Sequence, residues 1–487
     1  YPCLSFYLFE PDEGRYAEIP REMLQRGEWV VPYLHGQPYL DKPPLLYWLV
    51  MASYALCGVH DWAARLVPAL AVHACVLLTY LLGRRSLGER AAFWGALLLT
   101  LAPGFLGMGR LLLLDGILAL WVTVGVFAAL EAVRAPRLHR GWWLLSAAAC
   151  GLGVLTKGPV AVLLIVPPLW LHRRLTGTGA PIPWLSRVAW LGVVLAVAAP
   201  WYVAVCVRAP EFAGYFLWEH NVVRFFSPFD HLEPIWYYLP QLLGGLLPAT
   251  LLLPPLLHFL GCGDPAAAAR RTSGLGFAVL AGGWCVLFFS VSGCKLPTYI
   301  LPAYPALALV FGFFLAHTPW PRPRRTAAII GIGVAVQFAA DYLVVPWYAQ
   351  YRSPLGQWEP LARLCADPDT PVICYPRSAH SVAFYLGRED LPSYRSKEIH
   401  LLCHKLKQQP RTVVLLTHRN SLRGLCHALP PELKVVERQH FGLTPVSWLP
   451  RDPAKQLAHV LGDTALGLCD LVVVEWRGPA QPPSAAR

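Results

Sequence analysis

Long apolar runs alternate with short polar loops up to about residue 346, and this pattern predicts a bundle of membrane-spanning helices. A span needs about 20 mostly apolar residues to cross the hydrocarbon core. About ten runs are long enough, or nearly so, and they lie near 64–83, 91–108, 112–133, 142–156, 158–171, 185–207, 236–260, 275–291, 299–317 and 327–346. The neighbouring runs 142–156 and 158–171 are short, which favours a tilted or re-entrant hairpin.

The pattern changes after Pro346. Short β-rich runs (TPVICY, RTVVLLT, LKVVE and DLVVVEW) alternate there with helical patterns such as HSVAFYLG and HLLCHKLKQQ. Such alternation predicts a small α/β domain. The predicted fold class is therefore mainly α, a polytopic transmembrane helix bundle with a small C-terminal α/β soluble domain. We expect the transmembrane domain over 1–349, with 10–63 as a first loop carrying an interfacial helix, the α/β domain over 350–477, and a disordered tail over 478–487.

Composition supports a membrane protein. Of the 487 residues, 55% are hydrophobic and only 14% are charged, and the mean hydropathy is +0.43. These values exclude an ordinary soluble enzyme. The formal net charge of +12 could suggest a nucleic-acid partner. The arginines are concentrated in short loops between apolar runs, however, so we expect anionic membrane lipids as partners and no nucleic acid.

The basic loops predict the orientation of the bundle. Every second loop is basic, and the arginines concerned are Arg84, Arg85, Arg90, Arg134, Arg137, Arg140, Arg173, Arg174, Arg187, Arg270, Arg271, Arg322, Arg324 and Arg325. Loops rich in Lys and Arg face the cytoplasm. The segments 10–63, 109–115, 208–235 and 292–298, the turn at Lys157, and the chain after about 347 are then predicted on the other side.

The thirteen cysteines include no C-x-x-C pair, and several lie inside apolar runs, where Cys acts as a small hydrophobe. The C-terminal group could include a disulfide, although spacing alone cannot assign one; its members are Cys365, Cys374, Cys403, Cys426 and Cys469. Only nine residues precede Glu10, which is too few to span. We therefore expect either the end of a truncated first helix or a late gene start.

Several charged residues share the predicted outer side. Asp12 begins a predicted amphipathic interfacial helix over 12–26 that ends near Gly27, with Arg15 and Tyr16 in its first turn. Ordinary surface charge is the alternative. Lys42, in the sequence DKPP, is either a snorkelling lysine or a phosphate ligand aimed by two prolines.

Further candidates lie at the ends of apolar runs. Asp115 is flanked by leucines and needs a partner, for which Arg110 is a candidate. Lys157 is either a turn lysine or a ligand. His220 and Arg224 are four residues apart on one helical face, where they could serve a metal, a phosphate or a purely structural role. Lys295 and Tyr299 lie in a proline-rich segment at the mouth of a span, a break that is tolerated where it lines a cavity.

Four or five cations and two or three carboxylates thus fall on one face of the bundle. Arg and Lys suit a lipid-linked phosphate. A carboxylate suits a general base, or stabilises positive charge on a sugar carbon. This set of groups indicates an enzyme that transfers a sugar from a polyprenyl-phosphate donor.

The motifs EPDEGRYAEIPREML, LDKPP, VLTKGP, EHNVVRF and KLPTYILP resemble those of the bacterial 4-amino-4-deoxy-L-arabinose lipid A transferases, in the same order from about residue 10 to 305. That family belongs to the protein O-mannosyltransferase-like branch of the GT-C membrane glycosyltransferases. The resemblance implies inverting transfer on the periplasmic face of the bacterial inner membrane, with undecaprenyl phosphate as the sugar carrier and a lipid or protein as the acceptor.

The resemblance also implies residue roles. Asp12 resembles the catalytic carboxylate, with Arg15 and Tyr16 beside it, and Asp115 is a further catalytic candidate. Lys42, Arg224 and Tyr299 resemble the groups that hold the donor phosphate, and Lys157 and Lys295 complete the predicted binding set. Asp41 and His220 fall where the family can bind a divalent metal. The expected Glu is Asp41 here, one methylene shorter, and Pro20 stands where Ser is expected.

Two alternatives stay open. The same fold could transfer another sugar, such as mannose, to a protein or a cell-envelope glycan, because the motifs specify the carrier phosphate and the chemistry rather than the sugar. A lipid-sugar flippase or transporter is a different class. It would predict repeated halves and charges near the bilayer midplane, and the sequence has no evident repeat.

Overall fold

The computed structural model describes residues 4–227, 231–318, 323–346, 349, 363–365, 367, 369–418, 421–440 and 470–477. The predicted tail 478–487 lies outside these residues. The α-helices are α1 (Asp12–Arg26), α2 (Leu45–Cys57), α3 (Asp61–Leu87), α4 (Glu89–Leu101), α5 (Pro103–Gly109), α6 (Leu114–Arg134), α7 (Arg140–Lys157), α8 (Val160–Thr176), α9 (Trp184–Arg208), α10 (Arg224–Phe226), α11 (Tyr238–Gly245), α12 (Leu253–Gly261), α13 (Pro265–Arg270), α14 (Ser273–Val291), α15 (Tyr304–His317), α16 (Pro323–Ala339), α17 (His380–Leu386), α18 (Ile399–Leu406) and α19 (Ser421–Ala428).

The other elements are π-helices, 3-10 helices and strands. The π-helices are Ala213–Val223 and Ala340–Val344, and the 3-10 helices are Ala249–Leu252, Pro297–Ala303 and Ser396–Glu398. The strands are β1 (Tyr33–Leu34), β2 (Gln37–Pro38), β3 (Val372–Tyr375), β4 (Arg411–Leu416), β5 (Leu433–His440) and β6 (Asp470–Trp476).

The chain divides into two compact units. The first, the helical unit, contains 27–32 and 38–341, and the second, the α/β unit, contains 3–26, 33–37 and 342–487. The segment 3–26, which carries α1, therefore groups with the α/β unit. The domain boundaries drawn from composition stay a prediction.

The helical unit is a bundle of apolar helices. Within the described ranges, six helices are long and apolar enough to cross a membrane, or eight if two bent pairs each count as one span. The protein is thus a multi-pass membrane protein, and each of the ten predicted runs corresponds to a helix or a broken helix. The α4–α5 pair bends by 60° at Pro103, and the pair joining α11 to Ala249–Gly261 bends by 101°, next to Pro248. The short hairpin predicted over 142–171 forms α7 and α8, which are joined at Gly158 with φ +92.

Burial varies strongly between these helices. In α6, 94% of the most apolar window is buried inside the protein, whereas this share is 22% in α9 and 0% in the span 327–344. An apolar helix that is buried on all sides lies in the middle of a bundle, and one that exposes apolar side chains faces lipid. The helix α6, which carries Asp115, is therefore central to the helical unit.

The α/β unit is built on a four-stranded sheet of order β3-β4-β6-β5. Strands β3 and β4 are parallel, with Val372 opposite Val413, and β6 runs antiparallel to both β4 and β5. Alternate residues fill two apolar layers, one with Val382 of α17 and the other with Leu402 of α18 and Leu425 of α19. The predicted α/β class and all four predicted strands are confirmed.

Helix α1 begins at Asp12, contains Pro20 and is followed by Gly27 at φ +65. The predicted start and stop are therefore confirmed. Its residues 13–23, apart from Arg15, are buried within the α/β unit. There the backbones of Gly14 and Ser381 lie so close that a Cβ on Gly14 would stand 2.7 Å from the Ser381 nitrogen. The helix thus packs against α17.

The cysteines form no disulfide within the described part of the chain. Cys365, Cys374, Cys403 and Cys426 are free thiols, and Cys469 lies outside that part.

Candidate functional site

A cluster of charged and aromatic side chains forms inside the helical unit. Lys42 lies two residues before Pro44, at the start of α2, and its Nζ is 2.6 Å from Nε2 of His220. Arg224 Nη1 lies 3.2 Å from the same nitrogen. The predicted proximity of His220 and Arg224 is therefore found, although His220 belongs to the π-helix 213–223 rather than to an α-helix.

Asp115 and Lys157 form the second part of the cluster. Lys157, the last residue of α7, donates to Oδ1 of Asp115 at the start of α6. Its ammonium group also lies 3.9 Å from the centre of the Tyr299 ring, a cation–π contact. The two parts of the cluster lie close together. Four charged groups are near enough to Lys42 to affect its pKa, namely Lys157, Asp41, Arg224 and Asp115.

The expected pairing of Asp115 with Arg110 is wrong. Arg110 is 1% exposed and forms an ion pair with Asp341, whose Oδ1 lies 2.8 Å from its Nη2. Sequence proximity suggested Arg110, but residues 111–113 separate it from α6, so it is not fixed on the same helical face as Asp115. A buried charge needs its own partner, and the fold supplies one for each residue.

The electrostatics of Lys42 favour an anionic ligand. Burial, together with the neighbouring cations Lys157 and Arg224, lowers the pKa of Lys42 to about 7, and Asp41 opposes this shift only in part. A lysine whose pKa is lowered by neighbouring cations is stabilised in its charged form when an anion binds beside it. Phosphate oxygens are acceptors that match Arg and Lys donors.

Lys295 is held differently from the other predicted cations. Its side chain is buried and its Nζ donates to the backbone oxygens of Glu233, at 2.8 Å, and Ser292. These contacts tie together the segment around Glu233 and the loop before the 3-10 helix 297–303. They account for a buried lysine by a structural role, and its predicted part in substrate binding stays a prediction.

The arrangement of Asp41 and His220 does not fit a metal site. Asp41 Oδ1 accepts a hydrogen bond from the Tyr215 hydroxyl at 2.7 Å, and Nε2 of His220 faces two cationic groups. A metal ligand needs a free lone pair, and a cation beside that lone pair would repel the ion. A metal at Asp41 and His220 therefore takes no part in the reaction.

A different group has the composition of a metal site, within the described ranges. Glu18, Glu22 and His35 of the α/β unit bring ligand atoms within 4.8 Å of one another. Glu18 is already paired with Arg21, and Glu22 accepts backbone N–H groups from His35 at 2.5 Å and Gly36 at 3.0 Å. Both carboxylates therefore have partners of their own.

Asp12, Arg15 and Tyr16 belong to the α/β unit. Asp12 has a half-exposed side chain, and its Oδ1 lies 3.8 Å from Arg15 Nη2, while Tyr16 is buried. A surface ion pair at this distance is weak. Asp12 is therefore available to a ligand.

Sequence reasoning missed Tyr215, which holds Asp41. Tyr215 and His220 are five residues apart and their ring centres are 6.1 Å apart. A π-helix has a wider turn than an α-helix and is often found at functional sites. A pattern read with the α-helical period does not place these two residues together.

Comparisons with known proteins identify related sequences and a similar fold. The dolichyl-phosphate-mannose-protein mannosyltransferase family matches residues 3–216. An undecaprenyl phosphate-α-4-amino-4-deoxy-L-arabinose arabinosyl transferase from Pseudomonas savastanoi is 33% identical over 377 residues, which cover 74% of this chain and 67% of that protein. The chain belongs to the family of these arabinosyl transferases. A homologue from Pseudomonas fluorescens is 36% identical over 324 residues, 64% of this chain and 54% of the relative.

The matched region covers 54% to 63% of the length of three such relatives, so it is less than two thirds of each. Among solved structures, ArnT from Cupriavidus metallidurans bound to undecaprenyl phosphate superposes with a TM-score of 0.76 and 22% identity, covering 98% of this chain and 96% of that one. At this identity the likeness concerns the fold alone. The predicted fold class, mainly helical with a small α/β part, is confirmed.

Proposed function

We propose that this protein is an inverting glycosyltransferase that moves a sugar from an undecaprenyl-phosphate-type donor to an acceptor on the periplasmic face of the bacterial inner membrane. The observation that carries the proposal is the cluster of Lys42, Lys157 and Arg224 inside one helical unit. Three cations that converge without an equal number of carboxylates suit a lipid phosphate. The family's arabinosyl transferases make 4-amino-4-deoxy-L-arabinose the favoured sugar, and lipid A is the favoured acceptor.

The chemistry requires a base and a stabilised leaving group. In the proposed step, an acceptor hydroxyl attacks the anomeric carbon from the face opposite the phosphate, and the bond from this carbon to the phosphate oxygen breaks. The bonding electrons leave with the polyprenyl phosphate. Asp12 takes the proton of the acceptor hydroxyl. We assign this role from the family resemblance and from the availability of its carboxylate.

Lys42 and Arg224 act on the leaving group. Their charge matters most as negative charge grows on the departing phosphate, and stabilisation at that point lowers the barrier. Asp115 orients Lys157 by accepting its hydrogen bond, and Tyr299 supports the same ammonium group through its ring. In this scheme Asp115 acts through Lys157, which revises its predicted role as a catalytic carboxylate.

The function is tested with purified protein, several undecaprenyl-phosphate sugars and total membrane lipids, with products followed by mass spectrometry. We expect Asp12→Asn to reduce transfer by about 10²- to 10⁴-fold. We expect Lys42→Ala and Arg224→Ala to lose about 10-fold or more each, because each removes a charge-assisted contact. All three variants should keep the wild-type elution profile in detergent.

Matched controls are Glu219→Gln, an exposed carboxylate of the π-helix, and Arg140→Ala, an exposed cation at the start of α7. Both should transfer at the wild-type rate. Full activity of Asp12→Asn, or an equal loss in the controls, would overturn the assignment.

A second candidate is transfer of another sugar, such as mannose, to a protein or a cell-envelope glycan. It is favoured by the match of residues 3–216 to the dolichyl-phosphate-mannose-protein mannosyltransferase family. The same experiment separates the two candidates. A labelled lipid A supports the first, and a labelled protein supports the second.

A further inference from the structure

A large cleft opens in the α/β unit at the carboxyl edge of its parallel strands. Tyr375 ends β3 and Thr417 directly follows β4, and both line a cavity of about 1070 Å³. Because β3 and β4 are parallel, their carboxyl ends meet at one edge of the sheet. Ligands of open α/β sheets bind at this edge. The proposed transfer reaction leaves this cleft without a role.

The cleft is basic, and its cations are uncompensated. Arg377, Arg395 and Lys397 line it, and none of them forms an ion pair within the described part of the chain. Five other cations of the same unit do form ion pairs, namely Arg26–Glu389, Arg388–Asp390, Arg411–Glu437, Lys407–Glu432 and Arg438–Asp470. Three cations that share a cavity with a single carboxyl group, that of Glu10, leave an excess of positive charge that favours an anionic ligand.

A buried hydroxyl group supplies the second observation. Ser421 is only 7% exposed and lines the cleft, yet its hydroxyl has no hydrogen-bond partner among the residues the structure describes. A buried hydroxyl without a partner costs free energy. A ligand in the cleft would remove this cost. Ser378 and Ser393, whose hydroxyl oxygens are 2.8 Å apart, add donors to the same lining.

The cleft is also lined by one carboxyl group, that of Glu10. It is 8% exposed, one oxygen accepts the Ser381 N–H, and the other has no partner within the described ranges. Burial raises the pKa of Glu10 to about 7, although the hydrogen bonds from Ser381 partly oppose the shift. A carboxyl group that is partly protonated near neutral pH can donate to a phosphate oxygen or accept from a hydroxyl group of the ligand.

We propose that this cleft binds a phosphomonoester group through Arg377, Arg395, Lys397 and Ser421, with Glu10 contacting a neighbouring hydroxyl of the same ligand. A phosphomonoester carries up to two negative charges and three acceptor oxygens, which matches several cations and a hydroxyl donor better than a carboxylate does. Its source is either a lipid headgroup or a soluble phosphorylated compound. Binding here is independent of glycosyl transfer.

The test uses the full chain in neutral detergent, with inorganic phosphate, glucose 6-phosphate and glucose as soluble probes. Nanodiscs of phosphatidylcholine with and without phosphatidic acid provide the lipid arm. Hydrogen–deuterium exchange locates binding, and calorimetry gives the affinity. We expect a phosphomonoester to protect 375–381 and 393–398, and glucose to protect neither. Protection by glucose 6-phosphate indicates a soluble source, and protection only by phosphatidic acid indicates a lipid headgroup.

Variants separate this cleft from the cluster in the helical unit. Arg377→Ala and Lys397→Ala should each weaken binding by about 10-fold, and Ser421→Ala by less. If Arg377→Ala is poorly folded, Arg377→Lys replaces it in the test. This variant keeps the charge and should retain part of the affinity.

Two control variants remove cations outside the cleft. Lys434→Ala, which removes an exposed cation on β5, and Arg224→Ala should leave the protection of 375–381 unchanged. Equal protection by glucose, no protection by any phosphomonoester, or an equal loss in Lys434→Ala would overturn the proposal.

Discussion

Arg21 and Glu18 form an ion pair inside the α/β unit, with only 3% and 0% of their side chains exposed. Two hydrogen bonds join them, from Arg21 Nε at 2.8 Å and from Nη2 at 2.5 Å. Both residues lie on α1, one turn apart. Their contact with each other satisfies two charges that water cannot reach.

Removing one partner of this buried ion pair should therefore destabilise the folded protein. We expect Arg21→Met to lower the free energy of unfolding by about 3–5 kcal/mol, because Glu18 would stay buried without compensation. The double variant Glu18→Gln/Arg21→Met should recover much of this loss. The measurement is thermal unfolding of the purified protein in detergent.

The matched control is the pair of Arg388 and Asp390, whose carboxylate is exposed: 67% of the Asp390 side chain is accessible, against 11% of that of Arg388. Asp390→Asn should change the stability by about 0.5 kcal/mol or less. A cost for Arg21→Met no larger than that of Asp390→Asn would contradict the expected role of burial.

The sequence identified Asp12, Arg15 and Lys42 as notable residues, because charge near apolar runs is visible in the chain. It did not identify Glu10 or Arg21. On a helix that looks amphipathic, charged positions are assigned to an exposed face. Their burial depends on what the rest of the unit places over them, which no local pattern contains.

At the scale of elements, α4 and α15 pack with their backbones almost in contact. A Cβ on Gly312 would overlap the Ala91 oxygen and the Gly95 nitrogen, and would stand 2.7 Å from Gly95 Cα. Small residues allow such close approach between helices in membranes. Gly95 itself faces Leu309, where a Cβ would stand 2.9 Å from the side chain.

We therefore expect Gly312→Ala to destabilise the protein, because the two helices must separate to admit one methyl group. The apparent midpoint of thermal unfolding in detergent should fall by several degrees, corresponding to about 1–3 kcal/mol.

Gly276→Ala in α14 is the control, since nothing lies within 4 Å of the added Cβ. Alanine also has the higher helix propensity, so this variant should be neutral or slightly stabilised. Equal midpoints for the two variants would show that the α4–α15 contact is not close-packed.

Hydropathy predicted where the helices lie but not how they break. The run 91–108 became α4 and α5, because Pro103 cannot donate the backbone hydrogen bond that would continue α4. Helix type also escaped prediction. His220 and Arg224 come together as expected, but the π-helical turn that also brings Tyr215 beside Asp41 is set by packing rather than by the apolar pattern.

At the scale of the whole molecule, the basic loops predict one orientation in the membrane. An even number of spans, such as the ten predicted runs, starting outside with 10–63 would place the chain after about 347 in the periplasm. We expect alkaline phosphatase fused to the C-terminus to be active in cells, and green fluorescent protein at the same position to be dark. A fusion after Arg137, in a basic loop, should show the opposite behaviour. The reverse pattern would contradict the proposed location of the active site.

The sequence alone determined the fold class, the positions of the apolar helices and the strands of the α/β unit, and it supplied the residue types proposed for phosphate binding. These properties follow from local periodicity and from short motifs, each of which is contained in one continuous stretch of sequence. Only the tertiary structure decided which charges meet. In the folded protein Asp115 pairs with Lys157 rather than with Arg110. Lys295 donates hydrogen bonds to backbone carbonyls. Arg377, Lys397 and Ser421 line one cleft. Partners distant in sequence are chosen by packing, because a buried charge is stabilised only by the group that the fold brings beside it.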